Sequence, residues 1–311
     1  MHSRENRPPD VPRSHGSVEE SWEHSGLFPA ASGLAKYAQM QHKSLLAASL
    51  GFMILGVVAG LLPEGSRWHP PLALALLGAA LAASILLALL KLDRVWFSAR
   101  AIAESAKTRM WKYAMRAHPY DIEDNEAKLR LLDDIARILR DNTTTVRKMG
   151  IRGSASPPIS SHLTTLRRLP ADVRLGVYSK QRLSAQSDWY AERARRHDLS
   201  ANRWVGLVVL ANAGAVGLAA ARLALSSLPY LPVEVLAIIA SSALAWMQAG
   251  KFRELATSYA LAAQELLLIS GALPKLCSEE DLDQLVRTAE SAISREHALW
   301  AVREDRFRNR E

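Results

Sequence analysis

The chain has 311 residues, of which 49% are hydrophobic and 23% charged, and its formal net charge is +8. Its single cysteine, Cys277, excludes an intramolecular disulfide and any metal site built from several cysteines. These averages resemble those of a soluble protein, but the apolar residues are concentrated in four segments separated by strongly polar sequence. That distribution, without runs of alternating apolar and polar residues, predicts an all-α membrane protein and argues against an all-β fold.

The four apolar segments are long enough to be transmembrane helices. They are residues 44–62, 71–90, 205–221 and 231–249. About 20 helical residues cross the hydrocarbon core of a bilayer once. The alternative, in which these are core helices of a soluble domain, is disfavoured because no other part of the chain is apolar enough to surround them.

Short connections pair the segments into two antiparallel helical hairpins. Only residues 63–70 and 222–230 lie between the members of each pair, whereas the two pairs are far apart in the chain. Basic residues flank the outer ends of the hairpins: Lys36, Lys43, Lys91, Arg94, Arg203, Lys251 and Arg253. By the positive-inside rule, we expect a multi-pass protein of the inner (plasma) membrane, with both termini and the long middle segment in the cytoplasm.

The polar sequence sets the domain boundaries. Residues 1–33 carry prolines and no periodic pattern, which predicts a disordered tail. Residues 34–141 then form a first two-transmembrane unit, residues 142–161 a linker with glycines and prolines, and residues 162–311 a second unit.

Each unit continues beyond its hairpin into a polar helix that we call an arm. Residues 92–118 lack glycine and proline, so we expect the second transmembrane helix to continue into the cytoplasm without a break. Asp121 is expected to cap a helix over 122–141, and Ser278 with Asp281 to form a capping box for the last helix. The order of hairpin, arm, proline and capped helix occurs in both halves, which indicates an internal duplication.

Two stripes of aromatic and polar residues follow these polar helices with helical spacing. The first stripe is Trp96, Arg100, Glu104, Lys107 and Trp111. The second stripe is Tyr178, Arg182, Gln186, Trp189, Arg193 and His197. Each stripe is interpreted as a helix-packing face, with cations paired to Glu104 or stacked on tryptophan rings, or as a coupling face that changes partners when a signal arrives; the two roles are compatible.

Small and polar residues inside the spans suggest contacts between helices. Gly56 and Gly60 form a G-x-x-x-G pattern on the first span, which allows close helix approach. Asn212, near the middle of the third span, should face another helix or a water-filled path, and Glu234 at the start of the fourth span is either an interfacial anchor or part of an ion-selecting ring. Four spans enclose little water, so a pore would require a homo-oligomer.

A basic segment precedes the third span. From Arg140 to Arg203 there are thirteen Lys or Arg residues against five Asp or Glu residues. Arg193, Arg195, Arg196 and Arg203 lie close to the span, where we expect them to bind anionic lipid. A nucleotide messenger could bind the same segment, particularly around Arg147, Lys148, Arg152, Arg167 and Arg168. We do not expect a nucleic-acid partner, because no recognition helix or RNA-binding motif accompanies the charge.

Motifs for catalysis are not found in this sequence. It has no phosphate-binding loop of the G-x-x-x-x-G-K-[ST] type, no nucleophile elbow and no H-E-x-x-H helix. We therefore expect no enzymatic activity, no catalytic residue, no metal site and no cofactor.

The stripes carry a family resemblance. Trp96, Arg100, Glu104, Lys107, Trp111 and Tyr113, followed by Pro119 and Tyr120, resemble a pattern of the SLATT family, the two-transmembrane effector modules of bacterial nucleotide-signalling conflict systems. Tyr178, Arg182, Gln186, Trp189 and Tyr190 resemble the opening of a second SLATT subgroup, and Glu296, His297 and Trp300 resemble its ending.

The resemblance covers about residues 34–303 and implies a tandem SLATT protein. It further implies an oligomeric effector that forms pores or otherwise compromises the membrane in bacterial immunity. The trigger is expected to be a cytoplasmic sensor protein or a nucleotide messenger, because no sensor domain accompanies the two units in this sequence. The alternative is a non-conducting scaffold or anchor that recruits a cytoplasmic partner.

Overall fold

A computed structural model describes residues 27–61, 68–150, 159–224, 232–273 and 278–308 of the chain, and every regular element in these ranges is helical. The α-helices are α1 (Leu27–Gly60), α2 (His69–Leu90), α3 (Leu92–Ala114), α4 (Asp124–Asp141), α5 (Thr143–Met149), α6 (Ser161–Arg167), α7 (Ala171–Tyr178), α8 (Ala185–Ala224), α9 (Val233–Gly250), α10 (Phe252–Gly271) and α11 (Glu279–Arg308). A π-helical turn, Ser179–Ser184, joins α7 to α8.

Four helical stretches are long and apolar enough to cross a membrane, which confirms the predicted fold class. The spans are the second half of α1, α2, the second half of α8, and α9. The spans of each unit pack together, and α1 also contacts α9 of the second unit. Within the first hairpin, the hydroxyls of Ser49 and Ser84 lie 2.8 Å apart, and Ser84 donates to the carbonyl oxygen of Ala80.

A one-residue break separates span from arm in both units. Lys91 lies between α2 and α3 with φ 44° and ψ 46°, and Lys251 lies between α9 and α10 with φ 46° and ψ 38°. The expectation of an uninterrupted helix after the second span is therefore wrong. A left-handed residue turns the helix axis while the hydrogen bonding resumes at once: the amide of Leu255 donates to the carbonyl oxygen of Lys251 at 3.0 Å.

Beyond these lysines the two arms bury equivalent faces. Counted from the junction lysine, the same four positions are buried in each arm: Ala99, Ile102, Ala103 and Ala106 in α3, and Tyr259, Ala262, Ala263 and Leu266 in α10. Three of the four residues are alanine in α3 and two are alanine in α10, but the spacing is the same. This shared burial pattern supports the duplication inferred from the sequence.

The first helix begins earlier than the proposed start of the first unit at residue 34. It already includes Leu27, and its first turns carry small residues that pack against the arm. Ala31 is fully buried and forms a small cluster with Ile102, Ala103 and Ile138. Residues 1–26, which make up most of the predicted tail, lie outside the described ranges.

The predicted caps have different outcomes. The helix predicted over 122–141 begins at Asp124, and Glu123 caps it by accepting hydrogen bonds from the amides of Asn125 and Glu126. Asp121 is not the cap, because the helix starts two residues later than its cap position would require. The capping box of α11 is confirmed: the amide of Asp281 donates to Ser278 Oγ, and the amide of Ser278 donates to Asp281 Oδ2, both at 3.1 Å.

The segment predicted as a linker, residues 142–161, contains helix α5 and the first residue of α6. The cap of α6 is Ser160, whose Oγ accepts from the amide of Leu163 at 3.3 Å. Residues 151–158, with most of the prolines and glycines that suggested the linker, lie outside the described ranges.

One hydrophobic core holds the polar helices of both units together. It contains residues of α3, α4, α6, α7, α8, α10 and α11, including Trp111, Tyr113, Tyr178, Tyr190 and Tyr259. The polar parts of the two units therefore form one packed domain, which we call the polar domain.

Candidate functional site

The two stripes face each other across the polar domain. Helix α3 and the segment from α7 to α8 run in opposite directions between the spans and the core, so early residues of one stripe meet late residues of the other. Trp111 contacts Tyr178 edge to face, with ring centroids 5.4 Å apart. At the other end, the guanidinium carbon of Arg100 lies 5.9 Å from the centre of the Trp189 ring. Long side chains from the two units thus fill the space between these helices.

A fully buried ion pair lies at the centre of this contact. Arg182 donates through Nε and Nη2 to the two carboxylate oxygens of Glu290, each at 2.9 Å, and both side chains are completely enclosed. The hydroxyl of Tyr178 donates to the same carboxylate at 3.1 Å, and that of Thr108 donates to it at 2.8 Å. The pair therefore joins the arm of the first unit to the entry helix and the last helix of the second.

The local backbone places Arg182 in this position. It lies on the π-helical turn, which is a rare helix form that often occurs at functional positions. Glu290 lies among the buried residues Val286, Ala289 and Ile293 of α11, on the apolar face of that helix. A carboxylate on an apolar helix face requires a partner, and Arg182 supplies it.

The electrostatics of the pair favour the charged forms. Burial opposes the charge on Arg182, but the adjacent Glu290 carboxylate outweighs it and raises the pKa of Arg182 above its usual range. Burial and the charge of Glu290 both raise the pKa of Tyr178 well above its usual value, so its phenol remains a hydrogen-bond donor. Glu104 of the first stripe adds a favourable charge to Arg182.

Two more buried arginines hold the end of the first arm. Arg167 donates to the carbonyl oxygens of Tyr113 at 2.8 Å and Ile122 at 2.7 Å, and to Asp124 at 2.8 Å. Arg174 donates to the carbonyl oxygen of Met115 at 2.6 Å and also pairs with Glu279 at the start of α11. Both guanidinium groups therefore bind the backbone where α3 ends.

These contacts decide the role of Arg167. Because its side chain is fully buried and occupied by Asp124 and two carbonyl groups, Arg167 is not available to a nucleotide in this structure. Burial opposes ionisation of Asp124, but hydrogen bonds from Arg167 and Arg116 outweigh it and lower the pKa of Asp124.

The rest of the first stripe lies at the edge of this core. Lys107 is 5.7 Å from the ring of Phe28 on α1, and Trp96 stacks on Phe97 with ring centroids 4.6 Å apart. Tyr113, two residues beyond the stripe, is part of the core and lies edge to face with Tyr120, with ring centroids 6.2 Å apart.

The second stripe continues toward the spans. Tyr190 is buried and stacks on Tyr259 with centroids 5.7 Å apart, and Gln186 is half-buried one turn earlier. Glu296, His297 and Trp300 are in α11, but their side chains lie beyond those that the structure describes.

Residues of the spans divide into inward-facing and outward-facing sets. Gly56 is buried, and a Cβ there would lie 2.8 Å from Cδ2 of Leu77, so the first hairpin packs tightly at this glycine. At Gly60 the corresponding position has no atom of the described residues within 4 Å. Asn212 and Glu234 are both exposed on the outside of the chain.

The basic residues near the third span differ in their surroundings. Arg195 and Arg196 both pair with Glu192, and their hydrogen bonds lower the pKa of Glu192 to about 2. Arg193 lies 5.2 Å from the Trp189 ring instead, on the side of the stripe. Arg203 is exposed next to the span.

Two of the buried groups were not predicted, although the sequence contains a partial signal for each. Glu290 continues the helical spacing of the apolar residues Leu282, Val286 and Ile293, and Arg174 extends the four-residue rhythm of Tyr178 and Arg182 by one step. Thr108 and Arg167 have no such signal, because their role depends on which helices pack against them.

The fold and this shared polar core define a helical multi-pass membrane protein built from two related two-span units. Comparison with protein families gives two matches: residues 25–175 match the model described as SMODS and SLOG-associating 2TM effector domain 3, and residues 178–300 match effector domain 1 of the same series. The chain therefore belongs to the SLATT family and carries one SLATT domain in each half, as the sequence resemblance implied. Neither the comparison with curated proteins nor that with solved structures found a match.

Proposed function

We propose that this tandem SLATT protein is an oligomeric effector of the inner membrane that forms a permeation path in a bacterial conflict or anti-phage system. In this proposal the polar domain lies in the cytoplasm and keeps the path closed until a sensor protein or a nucleotide messenger acts on it. The family membership supports the effector role, since both matching models describe two-transmembrane effector domains.

The main support for an oligomeric permeation path is the exposure of Asn212. This residue lies near the middle of the third span and points away from the other helices of its own chain. A polar amide facing lipid at that depth is unfavourable, so polar groups in spans generally face another helix or water. In an oligomer, Asn212 would meet a neighbouring copy or line the space between copies.

The low burial of the spans gives further support. Only 6% to 17% of the most apolar stretch of each spanning helix is buried within the chain. Four spans that leave most of their apolar surface uncovered cannot enclose a water-filled path alone, whereas several copies arranged around an axis can.

A flux assay in liposomes tests the proposal. Purified protein is reconstituted into vesicles loaded with potassium or a small dye, and efflux is measured for the wild type and for Glu290→Ala, which breaks the buried ion pair. We expect the variant to release the contents without a trigger. Asn212→Leu in the same background should abolish release, whereas Leu210→Val at an exposed position of the same helix should not.

The assay also distinguishes the scaffold alternative. If Glu290→Ala inserts into the vesicles as intact oligomers and releases neither probe, the conducting role is wrong. The non-conducting scaffold would then be the remaining account of the shared polar core.

A further inference from the structure

A cluster of four basic side chains lies where the polar domain meets the spans. Lys43 comes from α1 directly before the first span, Arg100 from α3, and Arg193 and His197 from α8 before the third span. The helices of both units bring them together, and only Arg193 is among the four arginines expected to bind lipid.

Aromatic rings hold the cluster in place. The guanidinium carbons of Arg100 and Arg193 lie 5.9 Å and 5.2 Å from the centre of one ring, that of Trp189. Lys43 Nζ lies 6.0 Å from the ring of Trp96. The His197 ring lies 5.6 Å from the Tyr259 ring, and the Tyr259 hydroxyl accepts a hydrogen bond from Arg100 Nη1 at 3.5 Å.

The cluster is open on one side and closed on the other. Lys43 and Arg193 are exposed, and Trp189 is 36% exposed, so an ion or a lipid headgroup can approach them. His197 lies deeper, and its Nδ1 atom is buried without a hydrogen-bond partner among the described residues.

The charges that act on His197 and on Lys43 are all positive. Burial, followed by the charges of Arg193, Lys43 and Arg100, lowers the pKa of His197. Burial and the charge of Arg193 lower the pKa of Lys43 in the same way. Arg195 and Arg196 lie on the same helix, but each pairs with Glu192. The like charges are therefore confined to the side of α8 that carries Arg193 and His197.

Like charges held together in a partly buried place favour an anion that satisfies them. Arginine and lysine groups in this arrangement suit the oxygens of a phosphate. We infer that Lys43, Arg100, Arg193 and His197 form a binding site for a phosphate group, supplied by an anionic phospholipid headgroup or by a soluble phosphate compound. A phosphate there would connect α1 and α3 of the first unit to α8 of the second.

This inference concerns binding and holds whether or not the protein conducts. Delipidated protein in zwitterionic micelles is titrated with phosphatidylglycerol in one arm and inorganic pyrophosphate in the other, with binding followed by the shift of the thermal midpoint. The variants are Arg193→Gln and His197→Gln, and the matched control is Arg195→Gln, which removes an arginine from the same helix but outside the cluster.

We expect binding to weaken at least about tenfold in both cluster variants, as for the loss of one charge-assisted contact, and to persist in the control. That pattern with phosphatidylglycerol identifies a lipid headgroup site, and the same pattern with pyrophosphate identifies a site for a soluble phosphate. Binding of neither probe, or equal weakening by Arg193→Gln and Arg195→Gln, overturns the inference.

A pH series adds an independent readout. His197 is faced by Lys43, Arg100, Arg193 and the rings of Tyr259 and Phe252, and burial together with these cations lowers its pKa. A bound phosphodiester favours the protonated imidazole, and the affinity for phosphatidylglycerol should therefore rise as the pH falls from about 8 to about 6. The rise should be absent in His197→Gln; an identical rise in that variant would contradict the role of His197.

Discussion

Lys91 and Lys251 adopt the same left-handed backbone conformation at equivalent positions of the two units. Their φ angles are 44° and 46°, and each lysine separates a spanning helix from an arm that buries the same four positions beyond it. A side chain in this region of φ and ψ is unfavourable by about 1–2 kcal/mol, so a conformation found in both units indicates that packing requires it. The bend directs each arm from its span into the shared polar core.

A substitution at Lys91 tests whether this bend is strained. Lys91→Val should lower the free energy of unfolding by about 1–2 kcal/mol, because a β-branched residue fits the left-handed region poorly, whereas Lys91→Gly should keep it within about 1 kcal/mol of the wild type. Thermal unfolding in detergent provides the measurement. The control is Lys128→Val on the exposed side of α4, where the helix is regular. Equal losses in Lys91→Val and Lys128→Val would show that the bend stores no strain.

The ion pair between Arg182 and Glu290 should be sensitive to the loss of either partner. Glu290→Ala leaves Arg182 charged and fully enclosed, and we expect a loss of about 3–5 kcal/mol in stability. Replacing both residues, as in Arg182→Met with Glu290→Leu, should recover most of the loss because no uncompensated charge remains. Denaturant unfolding of the wild type, Arg182→Met, Glu290→Leu and the double variant gives the coupling energy.

The exposed pair between Arg295 and Glu265 serves as the comparison for that cycle. Removing it should change stability by about 1 kcal/mol or less, as for other surface pairs. A cost of similar size for Glu290→Ala would mean that the buried pair does not hold the two units together.

The two glycines of the first span should respond differently to the same change. Gly56→Ala places a methyl group 2.8 Å from Cδ2 of Leu77, whereas Gly60→Ala meets no atom of the described residues within 4 Å. Replacing glycine by alanine at a compatible position stabilises a protein by about 0.4–1 kcal/mol, so Gly60→Ala should stabilise the hairpin and Gly56→Ala should not. Unfolding in mixed micelles measures the difference. Equal stabilisation by both changes would show that α1 and α2 do not approach closely at Gly56.

The carboxylate of Asp124 should contribute a pH-dependent part of the stability. Its pKa is lowered in the folded protein, so its contribution is complete above the unfolded value of about 4 and is lost as the pH falls through the lower, folded value. The difference in stability between the wild type and Asp124→Asn should therefore shrink in acid. Thermal midpoints over a pH series test this, with the exposed Asp141→Asn as the control. A constant difference at all pH values would contradict the pairing of Asp124 with Arg167.

The sequence predicted the membrane architecture because that signal is carried by composition over long stretches. The four spans, their pairing and the capping box of Ser278 and Asp281 each depend on residues close together in the chain. The left-handed backbone conformation of Lys91 and Lys251 was not predicted, because lysine is not typical of that conformation and only tertiary packing selects it. The helical spacing also predicted that each stripe lies on one face of its helix. The register in which Trp111 meets Tyr178 depends instead on how the two units pack.

Buried charges were the hardest part of the site to predict. Arg167 and Arg174 lie in a segment with a large basic excess, where each resembles a solvated surface residue, and Arg182 was expected on a stripe whose cations pair with Glu104 or stack on tryptophan. In the structure all three are fully enclosed, and their partners are backbone carbonyl groups or distant carboxylates such as Glu290. Such pairs join positions far apart in the sequence, so local spacing can mark a buried position but cannot identify its partner.

The proposed function requires a chain that crosses the bilayer four times, with the polar domain on one side. Cysteine labelling in intact cells tests this after the native Cys277 is replaced by serine. Single cysteines at Ser66 and Ser227, between the paired spans, should react with a membrane-impermeant maleimide added outside, whereas a cysteine at the exposed Leu129 of α4 should react only after permeabilisation. Labelling of Leu129→Cys in intact cells, or protection of both connections, would contradict the account.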